Sequence, residues 1–178
     1  MHISRKLVSI AAGVTLVAGV GMAAAPAASA KTKYSGTTEI TLNQKVLQPF
    51  ADAIAIIRPA TSIRRGVSFP VTGVSSPEVF HRGALEVGDI RVSNPVIVVG
   101  DNNTAIVTAT SPLGQVELFT IKKFSIRSDT RKQQVWKGNL HLTTNQTVVD
   151  LLNASGETDV FTPGRRMGAI KTTIDIRR

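Results

Sequence analysis

Outside the amino-terminal segment, His81 and His141 are the side chains best suited to chemistry, and they stand 60 residues apart, from 81 to 141. The chain has no cysteine. It shows no H-x-x-x-H pair and no run of carboxylates, so the spacing argues against a closed zinc site. Asp101-Asn102-Asn103 has the look of a calcium loop but lacks the spaced Gly and the terminal bidentate Glu, and reads as a hairpin turn. Ser and Thr are plentiful, yet neither G-x-S-x-G nor S-x-x-K occurs, so no activated nucleophile is marked. Gly164-Arg165-Arg166-Met167-Gly168 has the glycines of a phosphate loop but opens a strand instead of a helix. Of the groups able to ligate a metal, His81 has the strongest case, because Gly83 beside it lets backbone approach a flat ligand. Tyr34 falls in a polar leader, and Met167 reads as core packing.

The elements that must position these residues are mainly strands. Thr37–Leu42 alternates, with Ile40 and Leu42 facing inward. Asn43 reads as a helix N-cap, followed by Val46, Phe50, Ile54 and Ile57 at helical spacing, which predicts a first short helix ending at Arg58-Pro59. Val67, Phe69 and Val71 alternate, and Pro70 predicts an edge or broken strand. Ile90–Val99 and Thr104–Thr110 flank Gly100-Asp101-Asn102-Asn103 as a hairpin. Gln115–Ile121, Phe124–Ile126, Gly138–Thr143 and Met167–Ile176 add strands, and Gln134–Trp136 is ambiguous. Thr144 is the expected cap of a second short helix carrying Val148, Leu151 and Leu152. One internal echo is present: each strand that enters a helix is followed, after it, by a basic Gly turn, Arg64-Arg65-Gly66 or Gly164-Arg165-Arg166. The pattern predicts an all-β, mainly antiparallel fold, a two-sheet β-sandwich or an open barrel with two short helices.

The first thirty residues read as an export signal. His2, Arg5 and Lys6 form a basic n-region, Leu7–Ala24 is apolar, and Ala28-Ser29-Ala30 is a small-residue cleavage site. Glycines and Pro26 interrupt the apolar run before that site, which favours a cleaved signal over a membrane anchor. Of the 178 residues, 148 then remain (178 less 30), which suits one β domain over 31–178. The whole chain carries a net charge of +9. Removing Arg5 and Lys6 takes the 21 basic residues to 19, against 12 acidic ones, leaving +7. Such a balance outside the cell predicts attraction to an anionic cell-wall polymer, a membrane surface or an anionic ligand. One Trp and one Tyr are too few for the stacking platforms of single-strand binders, so nucleic acid is not an expected partner.

Phe80-His81-Arg82-Gly83-Ala84-Leu85, then Val92-Ser93-Asn94-Pro95-Val96-Ile97-Val98-Val99-Gly100 and Thr104-Ala105-Ile106-Val107, resemble the HtaA domain of bacterial surface haem-uptake proteins. That family has a G-H-x-G-x-L element followed by a strand containing N-P. Val67-Ser68-Phe69-Pro70-Val71-Thr72-Gly73 resembles its preceding strand, and together these cover about a third of the chain after the signal. The resemblance implies a sandwich of two antiparallel sheets with short helices. It implies haem as the cofactor, the iron held by a Tyr in an S-F-R-x-Y segment and supported by the His that His81 matches. The Tyr segment falls on Pro49–Ile54, where Phe50 matches the family Phe and Ala53 stands at the Tyr position; Ala cannot ligate iron. Phe80 replaces the Gly before the His.

These residues lead to a secreted, non-enzymatic binding or envelope-associated module with His81, Arg82, Gly83 and Phe50 as the candidate ligand-binding set and no cofactor. The alternative is a haem binder using His81 or Tyr34. A secreted hydrolase ranks below both.

Overall fold

The computed structural model describes residues 33–48, 54–130, 132–155 and 159–177. Among them are the strands β1 (Lys33–Leu42), β2 (Ile54–Ile57), β3 (Thr61–Ile63), β4 (Gly66–Ser75), β5 (Glu78–His81), β6 (Ala84–Val87), β7 (Ile90–Val99), β8 (Ala105–Ser111), β9 (Gly114–Thr130), β10 (Gln133–Leu142) and β11 (Arg166–Arg177). The helical pieces are a single turn, α1 (Gln44–Leu47), and α2 (Gln146–Ser155). All of the strand pairings are antiparallel.

The sheet closes on itself. Its order runs β7-β5-β4-β1-β11-β10-β9-β8, and β8 pairs back onto β7. The architecture is therefore a closed eight-stranded barrel with β2, β3 and β6 as extra strands, where the sequence predicts a sandwich or open barrel. Alternation along each strand identifies an inner face but carries no information about which strands close a ring. An eight-stranded ring is narrow enough for side chains to fill. Ile40, Val67, Phe69, Ile97, Ile121, Trp136, Leu140 and Ile174 do so, all buried. Phe124 meets Trp136 edge-to-face at 5.6 Å between ring centroids. Outward positions such as Thr37, Lys137 and Lys171 are exposed. This polarity is the reverse of a lipid-spanning barrel. Among the described residues no helix is long and apolar enough to cross a membrane.

Pro70 does not make β4 an edge strand. β3 pairs with β4 up to Ser68, and β5 begins at Val71. The nitrogen that cannot donate therefore faces the gap between the two, while the Pro70 carbonyl accepts from Arg82 N at 3.3 Å.

Further expectations change. The first helix is one turn, and Ile54–Ile57 is strand β2, because a β-branched run on a sheet edge outweighs the helical spacing of Val46, Phe50, Ile54 and Ile57. Lys33–Gly36, read as part of a polar leader, belongs to β1 and pairs with β11 from Lys33↔Arg177 to Gly36↔Ile174. Gln134–Trp136 lies within β10. Helix α2 forms as expected, but Asn145, not Thr144, caps it, accepting from Thr147 N at 3.1 Å. It buries Val148, Val149 and Leu152 against Ala109, Leu118, Leu142 and Met167 at one end of the barrel.

The internal echo has a structural counterpart. Leu42 N, at the end of β1, bonds to Arg65 O at 2.9 Å, and Leu142 N, at the end of β10, bonds to Arg165 O at 2.8 Å. β1 and β10 flank β11 and run antiparallel to it. Both helices and both basic turns therefore stand at the same end of the barrel.

Candidate functional site

His81 ends β5 with its side chain inside the barrel, 3% exposed. Its Nδ1 lies 2.8 Å from the Pro95 carbonyl, which accepts only, so Nδ1 carries the proton and donates. Nε2 is then an acceptor, and Thr38 Oγ1 donates to it at 2.6 Å. Thr38 has spent its proton, so Thr172 Oγ1 donates to Thr38 at 2.8 Å. Both threonines are buried. Burial pushes the imidazole down to about 4, with the Pro95 hydrogen bond opposing that shift. The His81 ring is neutral at pH 7.

A hydroxyl donating to an imidazole whose far nitrogen is held by a carbonyl has the outline of a nucleophile and base. Here the hydroxyl is 2% exposed on β1, at the middle of the barrel wall. No substrate reaches it, and a base that titrates near 4 is unfit for work at pH 7. The arrangement satisfies buried polar groups and fixes strand register across β5, β1 and β11.

The motif residues around His81 converge as a knot. Asn94 has a positive φ of 49° at a register shift in β7, which presents the Pro95 carbonyl to His81. Asn94 N bonds to Gly83 O at 2.8 Å. Gly83 has φ 118°, and a Cβ there would stand 2.7 Å from Ala60 Cβ. It admits Ala60 to the wall, so its freedom serves packing. Arg82 points outward and is exposed. Tyr34 is half-buried on β1, four residues from Thr38 and so roughly 13 Å along the strand. The structure brings together His81, Gly83 and Asn94-Pro95, and leaves Tyr34 and the Arg82 side chain apart from them. Phe50 lies outside the described residues.

A different site opens where the barrel splays. Between β4 and β7, β5 fills one half of the seam. At the other half β3 follows β4, while β6 and β2 follow β7. The register rows Ile56–Leu85–Val92 and Ile54–Val87–Ile90 run across β2, β6 and β7. The first row, with Ile54 and Val87, lines a cleft. The alternate row Ala55–Glu86–Arg91 faces away and carries the exposed Arg91–Glu86 pair at 3.8 Å. The opposite wall of the cleft is Leu42, Leu118, Phe119, Leu142 and Met167, with Leu152 of α2 and Phe161 at its foot. Its volume is about 380 Å³. Among the described residues, the charged one lining it is Arg65, in the turn before β4, with Ser62 nearby. The sequence reading missed this cleft. The signal for it was the apolar face formed by two short strands and the start of a long one, Ile54/Ile56, Leu85/Val87 and Val92.

A hollow of about 410 Å³ lies on the outer wall, lined by Lys123, Lys137, Lys171, Asn139 and Glu39. It is more open to solvent than the cleft.

The chain matches no protein-family model and none of the curated proteins. Among solved structures, the C-terminal domain of HtaA from Corynebacterium glutamicum superposes with a TM-score of 0.62 at 10% identity, over 82% of this chain and 99% of that one. The chain has an HtaA-like fold. HtaB from the same organism, described as a heme binding protein, gives a TM-score of 0.56 at 12% identity, over 82% and 95% of the two chains. A domain-swapped dimer of a histidine-to-alanine variant of the HtaA domain gives 0.51 at 12% identity, over 74% and 88%. The likeness to an HtaA-like fold holds over almost the whole of each neighbour, at an identity that speaks for the fold alone.

Proposed function

We propose that this chain is a non-enzymatic binding module of HtaA-like fold, exported by residues 1–30, whose ligand enters the apolar cleft at the splayed end of the barrel. The observation that carries this reading is the cleft lining. Ile54, Ile56, Leu85, Val87, Val92, Phe119 and Phe161 are half-buried side chains that face one another across open space. Apolar surface left in a concave cleft of this size is the usual form of a small-molecule site. The neutral dye Nile red tests it. Blue-shifted, saturable fluorescence with the native chain, abolished in Leu85→Glu while Trp136 emission stays native, supports the cleft; equal binding by both proteins refutes it.

The haem reading, suggested by the description of HtaB, finds no matching ligands among the described residues. His81 has both ring nitrogens engaged and is sealed in the wall. Tyr34 lies eight residues from Leu42 on β1, so roughly 26 Å from the cleft. Among the described residues no His, Tyr or Cys lines the cleft, and Met167 is the one side chain there able to meet iron. An axial His or Tyr is what such pockets ordinarily supply.

A second reading concerns partners. Lys171 and Lys137 are register neighbours on β11 and β10, and with Lys123 they line the outer hollow. This row supports attachment to an anionic cell-wall polymer or membrane surface. Binding to purified wall polymer that falls steeply with salt, and weakens in Lys137→Gln/Lys171→Gln, is the expected result; salt-independent binding counts against it.

A further inference from the structure

The lining of the cleft specifies the chemistry of its occupant more narrowly than "apolar". Among the described residues its walls are mostly aliphatic, with Ser62 and Arg65 as the polar side chains. Such walls recognise by non-directional contact and suit a flexible alkyl chain. They offer a macrocycle neither stacking faces beyond Phe119 and Phe161 nor a nitrogen or phenolate for a metal. The volume, about 380 Å³, is near the low end of small-molecule sites, which favours one chain over two.

The rim carries the opposite chemistry. Arg65 lines the cleft and is exposed. Among the described residues it has no carboxylate within ion-pair distance. Its backbone is fixed: φ is 65°, and its carbonyl accepts from Leu42 N at 2.9 Å. The Arg65 side chain is thereby rooted beside the end of β1, where apolar wall meets water. The equivalent turn at the end of β10 brings Arg165 and Arg166 to the same end of the barrel. Their side chains bond to neutral oxygens of the Val160 carbonyl and the Asn139 amide, and among the described residues no carboxylate pairs with them. An apolar slot with a cationic lip is complementary to a molecule with an alkyl body and an anionic head.

We infer that the cleft takes the single alkyl chain of a monomeric anionic amphiphile, a fatty carboxylate in the simplest case, with Arg65 holding the head group at the rim. The inference rests on the cleft being the binding site, as proposed above. The chain supplies affinity through burial, and Arg65 supplies the choice of charge.

Displacement of Nile red by saturated fatty carboxylates of eight to fourteen carbons, each below its micelle concentration, and by their methyl esters, is the test. Expected is an affinity that rises about fourfold per added methylene until the cleft is full. Carboxylates should bind better than the esters. Arg65→Gln should weaken the carboxylates roughly three- to tenfold and leave the esters unchanged. Dye binding without displacement by any carboxylate, or displacement with no preference over the ester and no effect of Arg65→Gln, overturns the inference and leaves the cleft standing. Co-sedimentation with anionic phosphatidylglycerol vesicles that monomeric dodecanoate does not compete away also overturns it, in favour of a membrane surface. Failure of Nile red itself to bind removes both the inference and the proposal beneath it.

Discussion

Thr38 and His81, 43 residues apart in sequence, share a hydrogen bond of 2.6 Å inside the barrel. It ties β1 to β5, two strands that do not pair with each other. Thr38→Val preserves shape and removes the donor, leaving a buried imidazole nitrogen unsatisfied. A loss of about 1–3 kcal/mol is expected, read as a lower urea midpoint with an unchanged slope. A midpoint equal to the native value shows that the bond contributes nothing.

The same histidine sets a pH dependence. Its folded value, about 4, lies below the ordinary histidine value of 6.5. The unfolded chain therefore binds a proton that the folded chain refuses. Above pH 6.5 the two states are equally deprotonated and this contribution to stability is complete. As pH falls from 6.5 toward 4 it is lost, by up to about 3 kcal/mol. Urea midpoints for the native chain and for His81→Gln should diverge at pH 7.5 and draw together toward pH 4.5. Parallel curves across that range contradict a neutral buried His81.

Gly83 gives a third expectation. Its φ of 118° and the contact at Ala60 mean that Gly83→Ala adds backbone strain of about 1–3 kcal/mol, together with a clash. Ala60→Gly should not rescue it, because Ala60 N would still lie 2.8 Å from the new Cβ and φ would be unchanged. Full rescue, measured by thermal melting of the double variant, would mean that φ costs nothing here.

Hemin addition separates the sealed network from a haem site. No Soret change that depends on His81 or Tyr34 is expected. A shifted Soret band lost in His81→Ala, with Trp136 emission still native, contradicts it.

Much of this fold can be read in the sequence, and the reason differs by element. Val67, Phe69 and Val71, and the run Ile90–Val99, announce strands because one face must be buried. Asn102 and Asn103, both near φ 57°, are the residues a tight hairpin turn requires. Closure of the barrel is not legible, since every strand would alternate in the same way in a sandwich. The first helix fails because Ile54–Ile57 satisfies helical spacing and β-propensity together, and only the edge of β6 decides between them. The candidate site divides likewise. His81, Gly83 and Asn94-Pro95 stand out by residue type, and the structure uses all of them to hold the wall. Leu85, Val92 and Leu118 are ordinary strand residues by type. Their role comes from standing at the end where β2, β3 and β6 splay, which no local pattern encodes.

The central claim, that the splayed mouth and not His81 is the binding site, is tested most directly by methyl-resolved NMR of residues 31–178 titrated with neutral decanol. Saturable shifts confined to Leu85, Val87, Val92 and Leu118, with Ile97 and Ile121 of the sealed core unmoved, are the expected result. Shifts centred on the barrel interior around His81, or no saturable shift at the mouth, would contradict it.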